Sequence, residues 1–283
     1  MPTPQFSISQ FTAVNAVSST DVWAIGTSGN VPFTEHWNGK AWSVVPLKDP
    51  TAINNNVLFT GVKAISPTNV YAVGAYQGYQ DPVQFIEHWN GRSWSVVANP
   101  FNSVIPSGID ASSANDIWIV GQQRYGSFTE HFNGTAWSVV PTPAGSPDKV
   151  TVVSPTNAWA VGTFDISHWN GSSWKVVSVN ARPNELTAVT NLSATDVWAV
   201  GFSTSPSNGI ITPTAPLAEH FNGTSWSVVN TPTLTAPADG ILFGMSSPGG
   251  HVYAVGSTNP NTINPSTNSY EPGTALIVED DHG

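Results

Sequence analysis

The chain has no cysteine, and this absence removes several kinds of chemistry at once. Disulfide cross-links, thiolate metal ligands and a cysteine nucleophile are all excluded. Positive charge is also scarce, because eight Lys plus Arg stand against 18 Asp plus Glu and the net charge is −10. Nucleic acids and anionic membrane surfaces attract proteins through clusters of basic residues. We therefore expect neither of them as a partner.

Long apolar segments and charged residues in general are rare too. No apolar run reaches about 20 residues, the length that spans a bilayer, so we expect no membrane insertion. The first residues, Met-Pro-Thr-Pro, have neither the basic start nor the apolar stretch of a signal peptide. Charged residues make up 9% of the chain, and Ser, Thr, Asn, Gly and Pro are abundant. This composition favours a secreted or cell-surface protein whose leader is absent from the sequence, with a cytoplasmic location as the alternative.

What the sequence does contain is an internal repeat of two short motifs. The first reads Glu-His-Trp-Asn-Gly-x-x-Trp in its fullest form and occurs at 35–42, 87–94, 130–137, 167–174 and 219–226. The second, close to Asp/Asn-apolar-Trp/Tyr-Ala-Val-Gly, precedes each copy and occurs once more alone, ending at Gly26, Gly74, Gly121, Gly162, Gly201 and Gly256. Repeats of roughly 40 to 50 residues made of short β-type segments indicate a β-propeller with one four-stranded sheet per repeat.

We predict an all-β fold, a six-bladed β-propeller with four-stranded antiparallel blades whose strands are lettered A to D from the centre outward. The whole chain, 1–283, is expected to form one domain, with blades near 10–46, 58–98, 105–141, 148–179, 186–230 and 240–283 plus 5–9. The last repeat has no strand D of its own, and Phe6-Ser-Ile-Ser9 matches the Trp-Ser-Val-Val pattern of strand D. We therefore expect 5–9 to complete the last blade, which would remove its exposed edge. Between strands C and D, Asn-Gly predicts a two-residue turn with positive φ at both positions.

The spacing of Trp and Gly resembles that of bacterial kelch-like and Asp-box-like propellers. The Gly-x-x-Trp segments are similar to the end of an Asp box and begin at Gly39, Gly91, Gly134, Gly171 and Gly223. The leading Ser and Asp of that box are absent, as is the kelch Gly-Gly pair in most repeats. Propellers with this resemblance include lectins, glycan-active enzymes and protein-interaction modules. The resemblance therefore implies the fold and leaves the function open.

All 12 tryptophans fall in three repeated positions, and five histidines fall in one. Side chains present in every blade are expected to pack blades together rather than to stack on a sugar. In such a ring the histidines of neighbouring blades lie at least ~10 Å apart, whereas zinc ligands lie ~2.1 Å from one ion. We therefore predict structural roles for His36, His88, His131, His168 and His220, with neither a metal site nor a cofactor.

Residues that differ from blade to blade are the candidates for binding. The segments between strands B and C run from 6 to 19 residues between Gly and His, whereas the A–B and C–D turns are nearly constant. We interpret the variable segments, with the D–A links, as loops on one rim, and loops on a rigid scaffold commonly carry function. Their aromatic, amide, carboxylate and guanidinium groups suit sugar binding: Tyr76, Tyr79, Asp81, Gln122, Gln123, Arg124, Tyr125, Asp165, Arg182, Tyr270 and Glu271.

A second variable set occupies one polar position of strand A. We expect it to line the central channel, and it comprises Asn15, Lys63, Asp110, Thr151 and Thr190. Lys63 and Asp110 fall in adjacent blades, so two interpretations stay open, a structural ion pair or the polar floor of a pocket at the channel mouth.

The sequence has no nucleophile motif, phosphate loop or calcium loop, which favours a protein without catalytic activity. We predict a lectin-like, ligand-binding propeller that recognises carbohydrate. One alternative is a glycan-active hydrolase or lyase at the channel mouth, whose carboxyl pair would come from Asp81, Asp165 and Glu271. The other is a structural propeller that docks a protein surface.

Overall fold

The structure is a computed structural model in which β-strands account for nearly all regular secondary structure. It describes residues 9–29, 31–48, 57–77, 81–98, 101, 103–142, 146–163, 165–177, 184–207, 210–229, 240–258, 263–264, 269–270 and 275–280. The chain divides into two compact units, Met1–Thr142 and Pro143–Gly283, and each is described by itself.

The first unit contains three four-stranded antiparallel sheets, each with its strands in chain order. Sheet 1 consists of β1 (Ser9–Ser18), β2 (Asp21–Ser28), β3 (Val31–Trp37) and β4 (Trp42–Val45). Sheet 2 consists of β5 (Leu58–Ser66), β6 (Asn69–Gln77), β7 (Pro82–Trp89) and β8 (Trp94–Val97). Sheet 3 consists of β9 (Val104–Ser113), β10 (Asp116–Gln123), β11 (Gly126–Phe132) and β12 (Trp137–Val140).

The second unit contains two further sheets of the same kind and a smaller one. Sheet 4 has β13 (Ser146–Ser154), β14 (Asn157–Thr163), β15 (Ile166–Trp169) and β16 (Trp174–Val177). Sheet 5 has β17 (Asn184–Ser193), β18 (Asp196–Ser207), β19 (Ile210–Phe221) and β20 (Trp226–Val229), and one backbone pair, Thr163 with Glu185, joins it to sheet 4. Sheet 6 has β21 (Gly240–Ser246), β22 (Val252–Thr258) and β25 (Ala275–Asp280), with a 3₁₀ turn at Pro248–Gly250. A separate ribbon pairs β23 (Ile263–Asn264) with β24 (Ser269–Tyr270).

The predicted all-β class and the four-stranded antiparallel sheets are confirmed. Of the segment expected to complete the last blade, residues 5–8 lie outside the described residues. Ser9 belongs instead to β1, where it pairs with Ser28 of sheet 1. The six-bladed ring, its closure and the single domain stay predictions. Within the described residues, no helix has the length and apolar character needed to cross a membrane.

Each sheet has a β-bulge in strand A opposite the glycine that ends the strand B motif. In sheet 1 the register shifts between Phe11 and Ala13, so Thr12 is the extra residue, and its Oγ1 donates to the carbonyl oxygen of Ile25 over 3.3 Å. A Cβ on Gly26 would collide with the carbonyl oxygen of Gln10. Only glycine allows the two backbones this close approach, which accounts for the repeat of this residue at the end of the motif.

The turn between strands C and D differs from the predicted one. In sheet 1 it spans four residues, with Trp37 paired to Trp42, and only Gly39 has positive φ, at 85°. Asn38 instead accepts hydrogen bonds at its Oδ1 from the backbone N–H groups of Lys40 and Ala41, both over 3.0 Å. The expectation of positive φ at both positions was wrong because the Asn side chain closes the turn itself.

Apolar side chains fill the space between successive sheets within each unit. Trp23 and Ile25 of sheet 1 pack with Phe59, Val70 and Trp94 of sheet 2 in one buried cluster. Similar clusters lie between sheets 2 and 3, between sheets 4 and 5 and between sheets 5 and 6. Both faces of strand B in sheet 2 are therefore covered, by sheet 1 on one side and sheet 3 on the other, and all residues from Val70 to Ala75 are buried.

The variable segments between strands B and C are mostly not loops, and this expectation was wrong. Strands B and C continue past the motif glycine and pair as hairpins of different length. In sheet 3 only Arg124 and Tyr125 lie between β10 and β11. In sheet 5 the two strands are 12 residues each, and their pairing extends to Ser207 and Ile210. Backbone hydrogen bonding that continues wherever the flanking residues tolerate extended structure explains the difference.

Candidate functional site

Each sheet has two ends with different properties. The constant end carries the A–B and C–D turns, and the variable end carries the B–C hairpins. In sheet 1 the two turns of the constant end are in contact, because a Cβ on Gly39 would lie 2.9 Å from Cβ of Thr20. In the A–B turn, the backbone N–H of Thr20 donates to Ser18 Oγ over 3.2 Å.

At the constant end, each of the five histidines bonds to the Asp or Asn that begins strand B. In sheet 3, His131 Nε2 lies 2.8 Å from Asp116 Oδ1, and the His131 ring stacks on Trp118 with centroids 4.3 Å apart. The other four pairs have Nε2–Oδ1 distances of 2.8 to 3.0 Å and join His36 to Asp21, His88 to Asn69, His168 to Asn157 and His220 to Asp196. Each histidine is held within its own sheet, so the arrangement is structural.

Burial lowers the pKa of His88 and His168, whose partners are the uncharged Asn69 and Asn157. These two rings are therefore held in the neutral form near neutral pH. Within the described part of the chain, no group of three His, Cys, Asp or Glu side chains is arranged to hold a metal ion.

The repeated tryptophans pack one sheet on the next, as predicted. Trp23 of sheet 1 meets Trp94 of sheet 2 edge to face, with ring centroids 5.3 Å apart. Trp226 of sheet 5 meets Trp159 of sheet 4 in the same way, also at 5.3 Å. The Nε1 of Trp37 donates to the carbonyl oxygen of Ser19 over 3.2 Å, which ties strand C to the A–B turn.

The five polar residues of strand A connect neighbouring sheets. Asn15 Oδ1 accepts from the backbone N–H of Ala64 over 3.0 Å, and Lys63 Nζ lies 2.5 Å from Asp110 Oδ1. In the second unit, Thr151 Oγ1 donates to Asn191 Oδ1 over 2.6 Å, and Thr190 Oγ1 lies 3.0 Å from Ser247 Oγ. Lys63 and Asp110 thus form the ion pair that was one of the two open interpretations. Whether the set also lines a channel stays a prediction.

Strand C carries a buried carboxyl group beside the histidine in four repeats. Glu35, Glu87, Glu130 and Glu219 are at most 2% exposed. Glu130 Oε2 accepts from Gln84 Nε2 of sheet 2 over 3.0 Å. Burial raises the pKa of Glu130 to about 7, although the hydrogen bond from Gln84 acts in the opposite direction. These carboxyl groups are part of the packing between or within sheets rather than of an open site.

At the variable end, sheets 2 and 3 together form a polar cavity of about 380 Å³. Seven residues line it: Asp81, Pro82, Ser103, Ile105, Gln122, Gln123 and Arg124. Four of them, Asp81, Gln122, Gln123 and Arg124, belong to the set predicted from the sequence. Arg124 Nη1 lies 3.8 Å from Asp81 Oδ1, and their side chains are 68% and 35% exposed. An ion pair this long and this exposed adds little to stability, so both groups are open to a ligand.

Tyr125 stands next to this cavity at the tip of the β10–β11 hairpin. The side chain is 83% exposed and therefore has no packing role. The guanidinium carbon of Arg124 lies 5.5 Å from the centre of the Tyr125 ring, within the range of a cation–π contact. An exposed aromatic ring beside amide, carboxylate and guanidinium groups matches the arrangement that binds the faces and hydroxyls of a sugar.

Other predicted site residues lie elsewhere. Tyr76 is on β6 rather than in a loop, and its half-buried ring stacks on Phe85 with centroids 6.5 Å apart, next to the core. Asp165 lies in the B–C turn of sheet 4, where burial raises its pKa to about 6. Tyr79, Arg182 and Glu271 lie outside the described residues, and so does the side chain of Tyr270.

The carboxyl pair of the hydrolase hypothesis stays a prediction. Asp81 belongs to the first unit and Asp165 to the second, and the third candidate, Glu271, lies outside the described residues.

Sequence reasoning missed Pro82, Ser103 and Ile105 of the cavity. Ser103 has φ of 69°, and among the described residues it is the one non-glycine with positive φ. Non-glycine residues in this region are uncommon, and they cluster at functional sites. Because Ser is not a residue typical of positive φ, the sequence held no signal for it. Pro82 could have been predicted, because it follows Asp81 directly.

No protein-family model matches the chain, and no curated protein matches it. Solved structures do. The chain is similar to YCF48 bound to D1 peptide, with TM-score 0.58 and 16% identity over 88% of this chain and 76% of that one. It is also similar to a single-site mutant of Aleuria aurantia lectin in complex with α-methyl-L-fucoside or with Fucα1-6GlcNAc, with TM-score 0.50, 14% identity and coverage of 77% and 76% in each case. These neighbours are propeller-like proteins, and at such low identity the similarity shows the fold alone.

Proposed function

We propose that the chain is a ligand-binding propeller without catalytic activity that recognises carbohydrate at the cavity between sheets 2 and 3. One observation carries the proposal. Side chains of Asp81, Gln122, Gln123 and Arg124, from two adjacent sheets, converge on a cavity of about 380 Å³ beside the exposed Tyr125 ring. Pockets of roughly 300 to 1,000 Å³ are typical of small-ligand sites, and the polar groups fix the orientation of the ligand.

The recognition chemistry follows from the groups present. Amide and carboxylate groups bond sugar hydroxyls in both directions, since Gln both donates and accepts and Asp accepts. Arg124 can only donate hydrogen bonds. Because its pairing with Asp81 is long and exposed, a sugar hydroxyl or ring oxygen can accept from Arg124 in place of Asp81. The Tyr125 ring provides a flat apolar surface for the C–H face of the sugar. The fucosides named in the lectin structures are therefore reasonable first probes.

The proposal is tested by a glycan array followed by calorimetric titration of the strongest sugar, with α-methyl-L-fucoside and Fucα1-6GlcNAc included. Arg124→Ala and Tyr125→Ala are each expected to weaken binding about tenfold, as loss of one charged hydrogen bond or one stacked ring does. Arg92→Ala is the matched control, because Arg92 is exposed at the constant end of sheet 2. No sugar bound at millimolar concentration, or equal losses in Arg92→Ala and Arg124→Ala, would refute the proposal. Release of free sugar during incubation would favour the hydrolase instead.

A peptide or protein partner is the second candidate, on a different observation. The outermost strands of sheets 1 to 5 each expose one valine, at 40 to 53% of its surface: Val44, Val96, Val139, Val176 and Val228. Among the described residues no further strand pairs with these edges, and an open edge with apolar side chains is what an added peptide strand binds. A peptide-display library should yield peptides that bind the wild type but not Val96→Lys or Val139→Lys, and this result would support the peptide-binding candidate.

We also propose that the chain is one domain, 1–283, that closes as a six-bladed ring, with residues 5–8 as the outermost strand of the last blade. Support comes from sheet 1, whose face away from sheet 2 is open. Val14 is 64% exposed, whereas Val62 and Val150 at the same register are 6% and 7% exposed. Closure would bring Trp42 against Tyr253, as Trp94 lies against Trp23. A double-mutant cycle between Trp42→Ala and Tyr253→Ala should then give a coupling of about 0.5 to 1.5 kcal/mol, and additive losses would argue against closure.

A further inference from the structure

A buried polar contact joins sheets 2 and 3 below the polar cavity. Gln84 of β7 and Glu130 of β11 are 4% and 0% exposed, and Gln84 Nε2 donates to Glu130 Oε2 over 3.0 Å. A protonated carboxyl group can also donate a hydrogen bond to the amide oxygen of Gln84, whereas an ionised one can only accept. The contact is therefore strongest when Glu130 carries its proton.

The contact lies on the same elements that carry the cavity. Along β7, Pro82 lines the cavity, and Gln84 is the next residue on the same face of the strand. In sheet 3, Gln123 lines the cavity and pairs with Gly126, which shares a face of β11 with Glu130. The distance between the two walls of the cavity therefore depends on the separation of β7 and β11, which the bond between Gln84 and Glu130 fixes.

Apolar side chains flank the carboxyl group within sheet 3. Ile119 of β10 and Val139 of β12 are the cross-strand neighbours of Glu130. Burial raises the pKa of Glu130 to about 7, and the hydrogen bond from Gln84 acts in the opposite direction. Ionised Glu130 is stabilised by hydration, so its ionisation favours separation of the two sheets at this position.

Among the described residues, the titratable groups of sheet 2 that face this interface are Lys63 of β5, Tyr71 of β6 and His88 of β7. Lys63 forms the ion pair with Asp110. Burial raises the pKa of Tyr71 and lowers that of His88, so both rings are neutral at pH 7. A change in the charge of this interface near pH 7 therefore comes from Glu130.

We propose that the contact between Gln84 and Glu130 makes ligand binding at the cavity pH-dependent, with stronger binding on the acid side. This inference rests on the proposed carbohydrate site. A ligand that contacts both Asp81 and Arg124 needs the two sheets closed, and the closed arrangement favours protonated Glu130. By linkage, the affinity is complete below the pKa of Glu130 in the closed state and is lost as the pH rises through it.

Calorimetric titration of the full chain with the strongest sugar of the glycan array, at pH 6 and at pH 8, tests this proposal. If binding requires protonated Glu130, the affinity should fall about tenfold between these two pH values, because the pKa of about 7 lies between them. Glu130→Gln, whose amide resembles the protonated carboxyl group, should bind at both pH values as the wild type binds at pH 6. Glu219→Gln is the matched control, because Glu219 has the same register position in sheet 5 and bonds to Asn184; it should keep the tenfold dependence.

Hydrogen exchange of the free protein provides a readout that needs no sugar, and circular dichroism checks that Glu130→Gln folds. After correction for the intrinsic pH dependence of exchange, amides of residues 82–86 and 122–130 should lose protection between pH 6 and pH 8 in the wild type but not in Glu130→Gln. Equal wild-type affinity at both pH values, or the same loss in Glu130→Gln, would overturn the inference and leave the carbohydrate site intact. Binding of no sugar at either pH would refute the proposed function instead, and protection that then falls with pH in the wild type alone would still support the pH-dependent contact.

Discussion

The two ends of sheet 3 hold similar residue types in opposite circumstances. At the constant end, Asp116, His131 and Trp118 form one buried, bonded and stacked unit, and its counterparts recur in four other sheets. At the variable end, Arg124 and Tyr125 are exposed, and Arg124 contacts the Tyr125 ring and Asp81. A polar or aromatic residue is thus informative about function only after the packing interactions it serves have been identified.

The strand A residues refine this lesson. They vary between repeats, as binding residues do, yet Asn15, Lys63, Thr151 and Thr190 all contact the next sheet. These residues therefore vary because different side chains make the bond to the next sheet. Variation at the β10–β11 hairpin has no such counterpart, because Tyr125 projects into solvent.

The strongest test of the comparison is Trp118→Ala. Trp118 is 0% exposed, and its removal should lower the free energy of unfolding by about 3 to 5 kcal/mol, as loss of a fully buried aromatic side chain does. Tyr125→Ala, at the other end of the same sheet, should change it by no more than about 0.5 kcal/mol. Denaturant titration measures both, and similar losses in the two variants would abolish the distinction between the ends.

The next largest effect concerns pH and the buried contact between sheets 2 and 3. Burial raises the pKa of Glu130 from 4.5 to about 7, so its stabilising contribution is complete below the ordinary pKa and is lost as the pH rises through about 7. The free energy of unfolding of Glu130→Gln should therefore rise by about 3 kcal/mol relative to that of the wild type as the pH goes from 5 to 8, an order-of-magnitude figure from the pKa difference. Unfolding curves that stay parallel across this range would show that Glu130 does not titrate as expected.

At the constant end, Asp116→Ala should cost about 1 to 3 kcal/mol, because it leaves the His131 ring without its partner. Asp116→Asn should cost less, since Asn69 and Asn157 fill this position in sheets 2 and 4.

The same pair carries a pH dependence of opposite sign. Burial alone would raise the pKa of Asp116, but hydrogen bonds from His131 and Ser112 and the charge of His131 outweigh it and lower the pKa. The stabilisation is therefore present above the ordinary pKa and is lost as the pH falls through the lowered one. The free energy of unfolding of Asp116→Asn should therefore fall less steeply at acid pH than that of the wild type. The same acid dependence in both proteins would contradict this prediction.

The smallest effect is expected for the long hairpin of sheet 5. Replacing residues 204–213 with an Asn-Gly turn shortens β18 and β19 toward the length of their counterparts in sheet 3, and should change the free energy of unfolding by less than about 1 kcal/mol. A loss of several kcal/mol would show that this part of the variable end is also structural.

Much of the candidate site was accessible from the sequence, and the reason is the repeat. Comparing repeats isolates Asp81, Gln122, Gln123 and Arg124 as residues without equivalents, and these four line one cavity. The comparison failed for Tyr76, because a strand that continues past its motif buries a residue that a loop would expose. It also missed Ser103, whose backbone conformation depends on the link that holds it.

The sequence by itself determined the all-β class, the four strands per repeat and the structural role of the recurring Trp and His. Local spacing is enough for these, since each motif pairs within its own sheet through short turns. Only the tertiary structure decided that Gln84 meets Glu130 and that Asp81 meets Arg124, and it settled the ion pair between Lys63 and Asp110 that the sequence had left as one of two interpretations. Contacts between sheets depend on side-chain reach across a packed face, which no spacing along the chain encodes.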